Sequence, residues 1–127
     1  EKARRGAYVA REAEDKPEIV VCATGSEVSL AMEAADRSKK GKKVRIVSLF
    51  SRETFLGENT SFREEIIPPG SRVIVAEAGC ASGWEVLTGG NREDIFSINR
   101  FGASGTGDEV AEYLGFTAEN LAALIDR

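Results

Sequence analysis

Histidine is absent from the 127 residues of this chain, and that absence excludes several classes of site. Without an imidazole, the chain cannot form a Ser-His-Asp triad, a Cys-His dyad or a histidine-ligated metal centre from its own residues. It also lacks the ordinary side chain that titrates near neutral pH. An enzyme made only of these residues would therefore have to catalyse its reaction without histidine.

Cysteine is scarce, with only Cys22 and Cys80 in the chain. Two thiols are too few for a disulfide framework or for a four-thiolate zinc site. Each lies in or beside an apolar run, where free cysteines are commonly buried. We therefore expect two buried thiols in a protein of the reducing cytoplasm.

Long apolar runs and large basic blocks are also missing. No run approaches the roughly 18 apolar residues of a membrane-spanning helix, and no apolar stretch follows the charged residues 1–5, so we expect neither a membrane span nor a signal peptide. The 17 basic and 21 acidic residues give a net charge of −4, which argues against nucleic acid as a partner. The composition, 42% hydrophobic and 30% charged, indicates one soluble globular domain over residues 1–127.

Four short apolar runs, rich in β-branched residues, predict buried strands. They occupy residues 19–22, 44–49, 73–76 and 95–98. Their nearly continuous hydrophobicity is typical of a parallel sheet that is covered on both faces. A weaker extended segment, Ala7–Ala10, is expected to turn back through the polar residues that follow it. We predict that it pairs antiparallel with the first buried strand, as an edge of the sheet.

A helix is predicted after the first apolar run. Thr24 and Glu27 have the spacing of a capping box, in which Thr24 caps the helix and Glu27 reaches back. The next apolar residues recur at the spacing of one helix face: Val28, Ala31, Met32 and Ala35. Gly41 is the predicted end of this helix.

Weaker helical patterns follow the later runs. We predict one or two short helices within residues 51–67 and a short helix over 84–87. A capping-box spacing from Thr106 and a cap at Thr117 predict two more helices near the end of the chain. The alternation of strands and helices predicts an α/β fold, a three-layer α/β/α sandwich with about five mostly parallel strands and right-handed crossovers.

Two places in this fold are candidates for binding an anion. The loop of Thr24, Gly25 and Ser26 leads into a predicted helix N-terminus, whose free N–H groups can hold a phosphate or a carboxylate. Glu77 follows the third buried strand, at the edge where ligands bind in open α/β sheets. The alternative interpretations are a plain capped helix for the loop and a solvated or capping carboxylate for Glu77.

A second glycine-rich loop, residues 101–107, leads from the fourth buried strand towards a predicted helix. Its glycines do not have the G-x-G-x-x-G spacing, and the chain contains no G-x-x-x-x-G-K-[ST] motif. The loop therefore gives little support to a dinucleotide or nucleoside triphosphate site. Packing of the sheet end, or contact with another domain, is the simpler interpretation.

Five segments, in order and along nearly the whole chain, resemble the C-terminal domain of transketolases. Residues 19–28 are similar to a hydrophobic strand followed by A-T-G-S-E-V, and residues 44–48 to V-R-V-V-S. The others are residues 62–68, similar to Y-R-E-S-V-L-P; 75–79, similar to V-A-V-E-A-G; and 101–105 with 115–117, similar to F-G-A-S and G-F-T. Two places depart from the pattern, since residues 49–51 replace M-P-S and residues 107–108 replace Ala-Pro.

The resemblance implies an enzyme that transfers a two-carbon ketol unit from a ketose phosphate to an aldose phosphate. In that family, thiamine diphosphate and a divalent metal, Mg²⁺ or Ca²⁺, lie between the first two domains of a homodimer. Those domains supply the G-D-G…N motif, the activating glutamate and the catalytic histidines. The resemblance thus implies that this chain is the third domain, with no catalytic, cofactor-binding or metal-ligating residue and with one antiparallel edge strand.

Three roles remain open for such a domain. The first is structural, with the upstream domains and the second subunit of a homodimer as its partners. The second is regulatory, with a small anion held at Thr24–Ser26 or beyond Glu77. The third is an adaptor surface, which would require an exposed apolar patch around Phe50, Phe55 or Trp84.

Overall fold

The computed structural model describes residues 5–14, 16–25, 27–77, 84, 86–97 and 117–127. The strands in these ranges are β1 Ala7–Arg11, β2 Ile19–Ala23, β3 Val44–Leu49, β4 Arg72–Glu77 and β5 Ile95–Ser97. The α-helices are α1 Glu27–Arg37, α2 Arg52–Leu56, α3 Thr60–Ile66 and α4 Ala118–Ile125, with 3-10 turns at Gly41–Lys43 and Arg92–Asp94. None of the helices within these ranges is long and apolar enough to cross a membrane.

The five strands form one sheet in the order β1-β3-β2-β4-β5. The pairs β2–β3, β2–β4 and β4–β5 are parallel, and β1–β3 is antiparallel. The predicted α/β class, with a mostly parallel sheet and one antiparallel edge strand, is therefore confirmed.

The predicted partner of the edge strand is wrong, because β1 pairs with β3 and not with β2. Both sides of β2 are already occupied: Val21 lies opposite Ile46 on one side and Ile74 on the other. All five residues of β2 are buried, so this strand belongs in the centre of the sheet. Only the outer side of β3 is left for β1, which places Ala7 opposite Leu49.

Helices cover both faces of the sheet, as a three-layer sandwich requires. Alternate residues of β2 enter different cores, since Val21 packs with α1 and α4 whereas Val20 packs with α2 and α3. The α1–α4 side is lined by small and aliphatic residues, including Ala31 and Leu121. The α2–α3 side holds larger rings, among them Phe55 and Phe62, whose centroids are 6.1 Å apart.

Helix α1 is shorter than the sequence predicted. It begins at Glu27 and ends at Arg37, before Gly41. Gly41 instead opens a 3-10 turn, and a Cβ atom added there would clash with the carbonyl oxygen of Ala35. The glycine therefore allows the chain to approach the end of α1 closely, rather than capping the helix.

The other helix predictions have mixed outcomes. Two short helices, α2 and α3, do occupy the stretch 51–67, and α4 begins after Thr117, whose Oγ1 accepts the N–H of Asn120 at 3.2 Å. The helix predicted over 84–87 is wrong, because residues 86–90 form turns that end in two glycines with positive φ. The predictions for Cys80, Ile98 and residues 101–116 lie outside the described residues.

A pH-dependent contact joins the ends of α1 and α4. The hydroxyl of Ser38 donates to Asp126 Oδ1 at 2.6 Å, and the N–H of Lys39 donates to the same oxygen at 3.0 Å. The Ser38 hydrogen bond holds the pKa of Asp126 below its ordinary value, and the Lys39 N–H acts in the same direction against partial desolvation. Because the folded pKa is the lower one, this stabilisation is complete above pH ~4 and is lost as the pH falls through the folded value.

We expect the variant Ser38→Ala to be less stable than the parent sequence at pH 6, and the difference to shrink between about pH 4 and pH 2. Urea-unfolding midpoints of both proteins across this range provide the measurement. A difference that stays constant with pH would show that the Asp126 carboxylate does not contribute through this bond.

Candidate functional site

Three parallel strands end together at one edge of the sheet, since Ala23 of β2 lies opposite Ser48 of β3 and Ala76 of β4. The chain leaves β2 towards α1 on one face and leaves β3 towards α2 on the other. Such a reversal opens a crevice beyond the strand ends. A cleft of about 600 Å³ lies there. The lining of this carboxyl-edge cleft includes Thr24, Gly25, Phe50, Arg52, Glu53 and Glu77.

The cleft brings together three of the four residues that the sequence nominated. Thr24, Gly25 and Glu77 all line it, and Ser26 lies outside the described residues. The N–H of Thr24 donates to the carbonyl oxygen of Ala76 at 3.4 Å, which holds the loop after β2 beside the end of β4. Gly25 has a φ of +42°, a left-handed conformation that glycine adopts without strain. The two places that the sequence nominated separately thus lie in one cleft, while their binding of an anion stays a prediction.

The capping interaction at α1 differs from the prediction. The helix begins at Glu27, so Thr24 lies too early in the chain to be its N-cap. The Thr24 hydroxyl instead donates to Glu27 Oε2 at 2.9 Å. A carboxylate in the first turn interacts favourably with the helix dipole. The positive end of α1 therefore already has an anionic group of the chain itself beside it.

Arg52 is a lining residue that the sequence did not nominate, and Trp84 was named only as part of a possible adaptor patch. The Arg52 guanidinium lies over the Trp84 ring, 4.7 Å from its centroid, in a cation–π contact. Ser51 positions Arg52 at the start of α2, since its side chain accepts the N–H of Thr54. A serine directly after a strand was the available signal for this helix start, but the proximity of Trp84 depends on tertiary packing.

The charges around the cleft are mostly negative. Glu53 and Glu77 line it and Glu27 stands at its α1 side, whereas Arg52 is the one cation among its described lining residues. In the described part of the chain, no group of three or more histidine, cysteine or acidic residues is arranged to hold a metal ion.

The thiol of Cys22 is fully buried under α2 and α3, and burial raises its pKa to about 12, so it is not a nucleophile at neutral pH.

The apolar patch proposed for an adaptor is mostly buried. Phe55 and Trp84 are core residues, with 1% and 8% of their surface exposed, because α2 packs them against the sheet. Phe50 is 48% exposed and contacts Tyr8, itself 41% exposed, with their ring centroids 6.0 Å apart.

Phe50 also stands where the family pattern has proline. Its N–H donates to the carbonyl oxygen of Gly6 at 3.0 Å, and proline has no N–H with which to make this bond.

The fold and the sequence match those of known proteins. A family model described as the transketolase-like TK C-terminal domain matches residues 6–117. The chain belongs to this family. The transketolase of Treponema pallidum is 45% identical over 120 residues, which are 94% of this chain and 17% of that protein. The transketolase of Aquifex aeolicus is 39% identical over 124 residues, or 96% of this chain and 18% of that protein.

Solved transketolase structures agree with this assignment. The transketolase of Pichia stipitis in complex with sedoheptulose-7-phosphate superimposes with a TM-score of 0.80 at 33% identity, over 96% of this chain and 18% of that chain. The transketolase of Leishmania mexicana gives a TM-score of 0.78 at 30% identity, over 95% of this chain and 17% of that one. The chain thus spans less than a fifth of the length of each of these relatives.

Proposed function

We propose that this chain is the C-terminal domain of a transketolase, a single domain over residues 1–127 of a longer cytoplasmic protein. The parent enzyme would transfer a two-carbon ketol unit from a ketose phosphate to an aldose phosphate, a reaction of the pentose phosphate pathway. Its thiamine diphosphate and divalent metal, Mg²⁺ or Ca²⁺, would be held by the domains that precede this one. The role of this domain would be structural, supporting a homodimer of the parent.

One observation carries this proposal. Almost the whole chain, 94% of it, corresponds to only 17% of a relative named transketolase at 45% identity. This chain matches the C-terminal domain of a much longer enzyme and contains no histidine. Both facts support a structural role beside an active centre that other domains form.

The carboxyl-edge cleft does not fit thiamine diphosphate with its metal. Glu53 and Glu77 would repel the diphosphate, and the guanidinium of Arg52 lies over Trp84. The described residues also lack an acidic cluster with which to hold the divalent ion. We therefore assign no step of the ketol transfer to residues of this chain.

The purified 127-residue chain is expected to show no ketol transfer when it is given a ketose phosphate, an aldose phosphate, thiamine diphosphate and Mg²⁺. The parent enzyme, assayed under the same conditions, is the positive control. Product formed by the 127-residue chain alone would contradict the proposal, and a parent enzyme without ketol transfer would contradict the assignment to transketolase.

A regulatory anion site is the second candidate function. Its support is the adjacency of Thr24, Gly25 and Glu77 in one cleft, and the carboxylates around that cleft weaken it. Calorimetric titration of the chain with inorganic phosphate and sugar phosphates is the test, with Thr24→Val as the site variant and the exposed Thr60→Val as its matched control. Affinity weaker than about 1 mM for every anion, or binding that Thr24→Val leaves unchanged, would exclude this function.

A further inference from the structure

The exposed aromatic pair Tyr8 and Phe50 lies where the chain enters the domain. The described residues begin at Arg5, and β1 runs antiparallel to β3, so the start of β1 lies at the end of β3. The carbonyl oxygen of Gly6 accepts the N–H groups of Phe50 at 3.0 Å and Ser51 at 3.1 Å. The first described residues, Arg5 and Gly6, therefore lie beside the backbone of Phe50. We call Gly6, Tyr8 and Phe50 the entry corner.

Two contacts of Arg5 position the start of the described chain. Its Nε lies 3.1 Å from Glu58 Oε1, and its guanidinium lies over the ring of Phe62, 4.3 Å from the centroid. These contacts hold the segment against α3 and the end of α2 and keep it close to the sheet edge. The first described residues of the chain therefore lie at the same sheet edge as the carboxyl-edge cleft, of which Phe50 is one wall.

Exposed large apolar side chains are concentrated at this corner. Of the three in the described ranges, Tyr8 and Phe50 are in contact with each other, and only Val86 lies elsewhere. Val86 lines a groove with Gly70 and Arg72, at the start of β4 and so at the opposite edge of the sheet. The two rings in contact form an apolar patch, whose burial by a neighbouring domain would be favourable.

We propose that the entry corner, with the adjoining mouth of the cleft, is the docking surface for the domain that directly precedes this one in the same transketolase polypeptide. This inference rests on the proposed function, because the relatives are several times longer than this chain, which covers 17% of one of them. A covalently attached neighbour meets the corner at high effective concentration, since its connection to this domain leads into Arg5 and Gly6. The two rings supply the apolar anchors that such an interface needs.

The test compares the reactivity of a thiol at the corner in two proteins. The variant Phe50→Cys is made in the 127-residue chain and in the parent enzyme, and each is treated with a maleimide while peptide mass spectrometry follows the label. The matched control is Val86→Cys in both proteins, because Val86 is exposed but lies at the other edge. Labelling at residue 50 is expected to be about tenfold slower, or slower still, in the parent than in the isolated chain, and labelling at residue 86 equal in both.

Three other outcomes would contradict docking of the preceding domain at the entry corner. Equal labelling of residue 50 in both proteins would show that the corner is open in the parent. Protection that appears in the isolated chain as its concentration rises, with a dimer in sedimentation velocity, would assign the corner to a second copy of this chain. Protection in the parent that disappears when its subunits dissociate would assign it to the partner subunit. A parent protein that shows no ketol transfer would refute the proposed function, but the labelling of residue 50 could still be interpreted.

A second variant gives an independent readout of the same interface. Phe50→Asp is expected to lower the unfolding temperature of the parent enzyme by more than that of the isolated chain, where the residue is already 48% exposed. Phe50→Tyr should restore the parent value, and Val86→Asp should change neither protein. Equal behaviour of Phe50→Asp and Val86→Asp in the parent would contradict docking at the entry corner.

Discussion

The variant Gly6→Ala is expected to lose about 3 kcal/mol of stability or more. Gly6 has a φ of +91°, and a Cβ atom there would lie 2.5 Å from the carbonyl oxygen of Ser51 and 2.7 Å from the backbone nitrogen of Phe55. Both neighbours are backbone atoms, so the clash is relieved only if β1 moves away from α2. That movement would also break the hydrogen bonds that the Gly6 carbonyl accepts from Phe50 and Ser51.

Urea unfolding followed by the fluorescence of Trp84, the single tryptophan, measures this loss. The midpoint should fall by roughly 1.5 to 2 M for an m-value near 2 kcal/mol/M. Gly70→Ala is the matched control, because Gly70 also has a positive φ, +87°, but no atom beyond its chain neighbours lies within 4 Å of its Cβ position. It should lose only about 1 to 2 kcal/mol from the strained backbone. An equal loss in both variants would show that the close approach at Gly6 does not matter.

The variant Arg72→Met is expected to lose about 3–5 kcal/mol, because it leaves a buried carboxylate without its counter-ion. Asp94 is only 4% exposed and accepts two bonds from Arg72, at 2.6 Å from Nη2 and 3.2 Å from Nε. Arg72 also donates to the carbonyl oxygen of Ile125 at 3.4 Å. The side chain thus connects β4, the turn before β5 and the end of α4.

Two further variants separate the buried charge from a general effect of losing arginine. The double variant Arg72→Met/Asp94→Leu should recover much of the stability, since it removes the unpaired carboxylate as well. Arg11→Met is the matched control: Arg11 pairs with Asp36 at 2.7 Å, with side chains 41% and 63% exposed, and should lose less than about 1 kcal/mol. Similar losses for Arg72→Met and Arg11→Met in urea unfolding would contradict this account.

The central strands could be predicted from the sequence because their apolar composition indicates that they are buried. The runs at 19–22 and 44–49 are almost wholly apolar, as a strand covered on both faces requires, and both became central strands. The partner of Ala7–Ala10 was not predictable in the same way. Strand pairing joins residues that are far apart in the chain. Because β3 and β4 occupy the two sides of β2, β1 pairs with the outer side of β3.

The candidate site was predictable where it follows from topology and not where it follows from packing. Thr24 and Glu77 come directly after neighbouring parallel strands, so their meeting follows from the sheet itself. The contact of Arg52 with Trp84 has no sequence signal, because Trp84 lies in a region of turns that the helical pattern did not describe. Phe50 was named from the sequence as part of a possible exposed patch, but its contacts with Gly6 and Tyr8 were not, since they form only once β1 has paired with β3.

The central claim is that the active centre of the parent transketolase is made by residues outside this chain. A structure of the parent enzyme with thiamine diphosphate and its metal bound tests the claim most directly, by the distances from the cofactor to each residue. The account predicts that no residue of 1–127 lies within contact distance of the diphosphate, the thiazolium ring or the metal. A direct ligand or hydrogen bond from Thr24, Arg52, Glu77 or any other residue of this chain to the cofactor would contradict it.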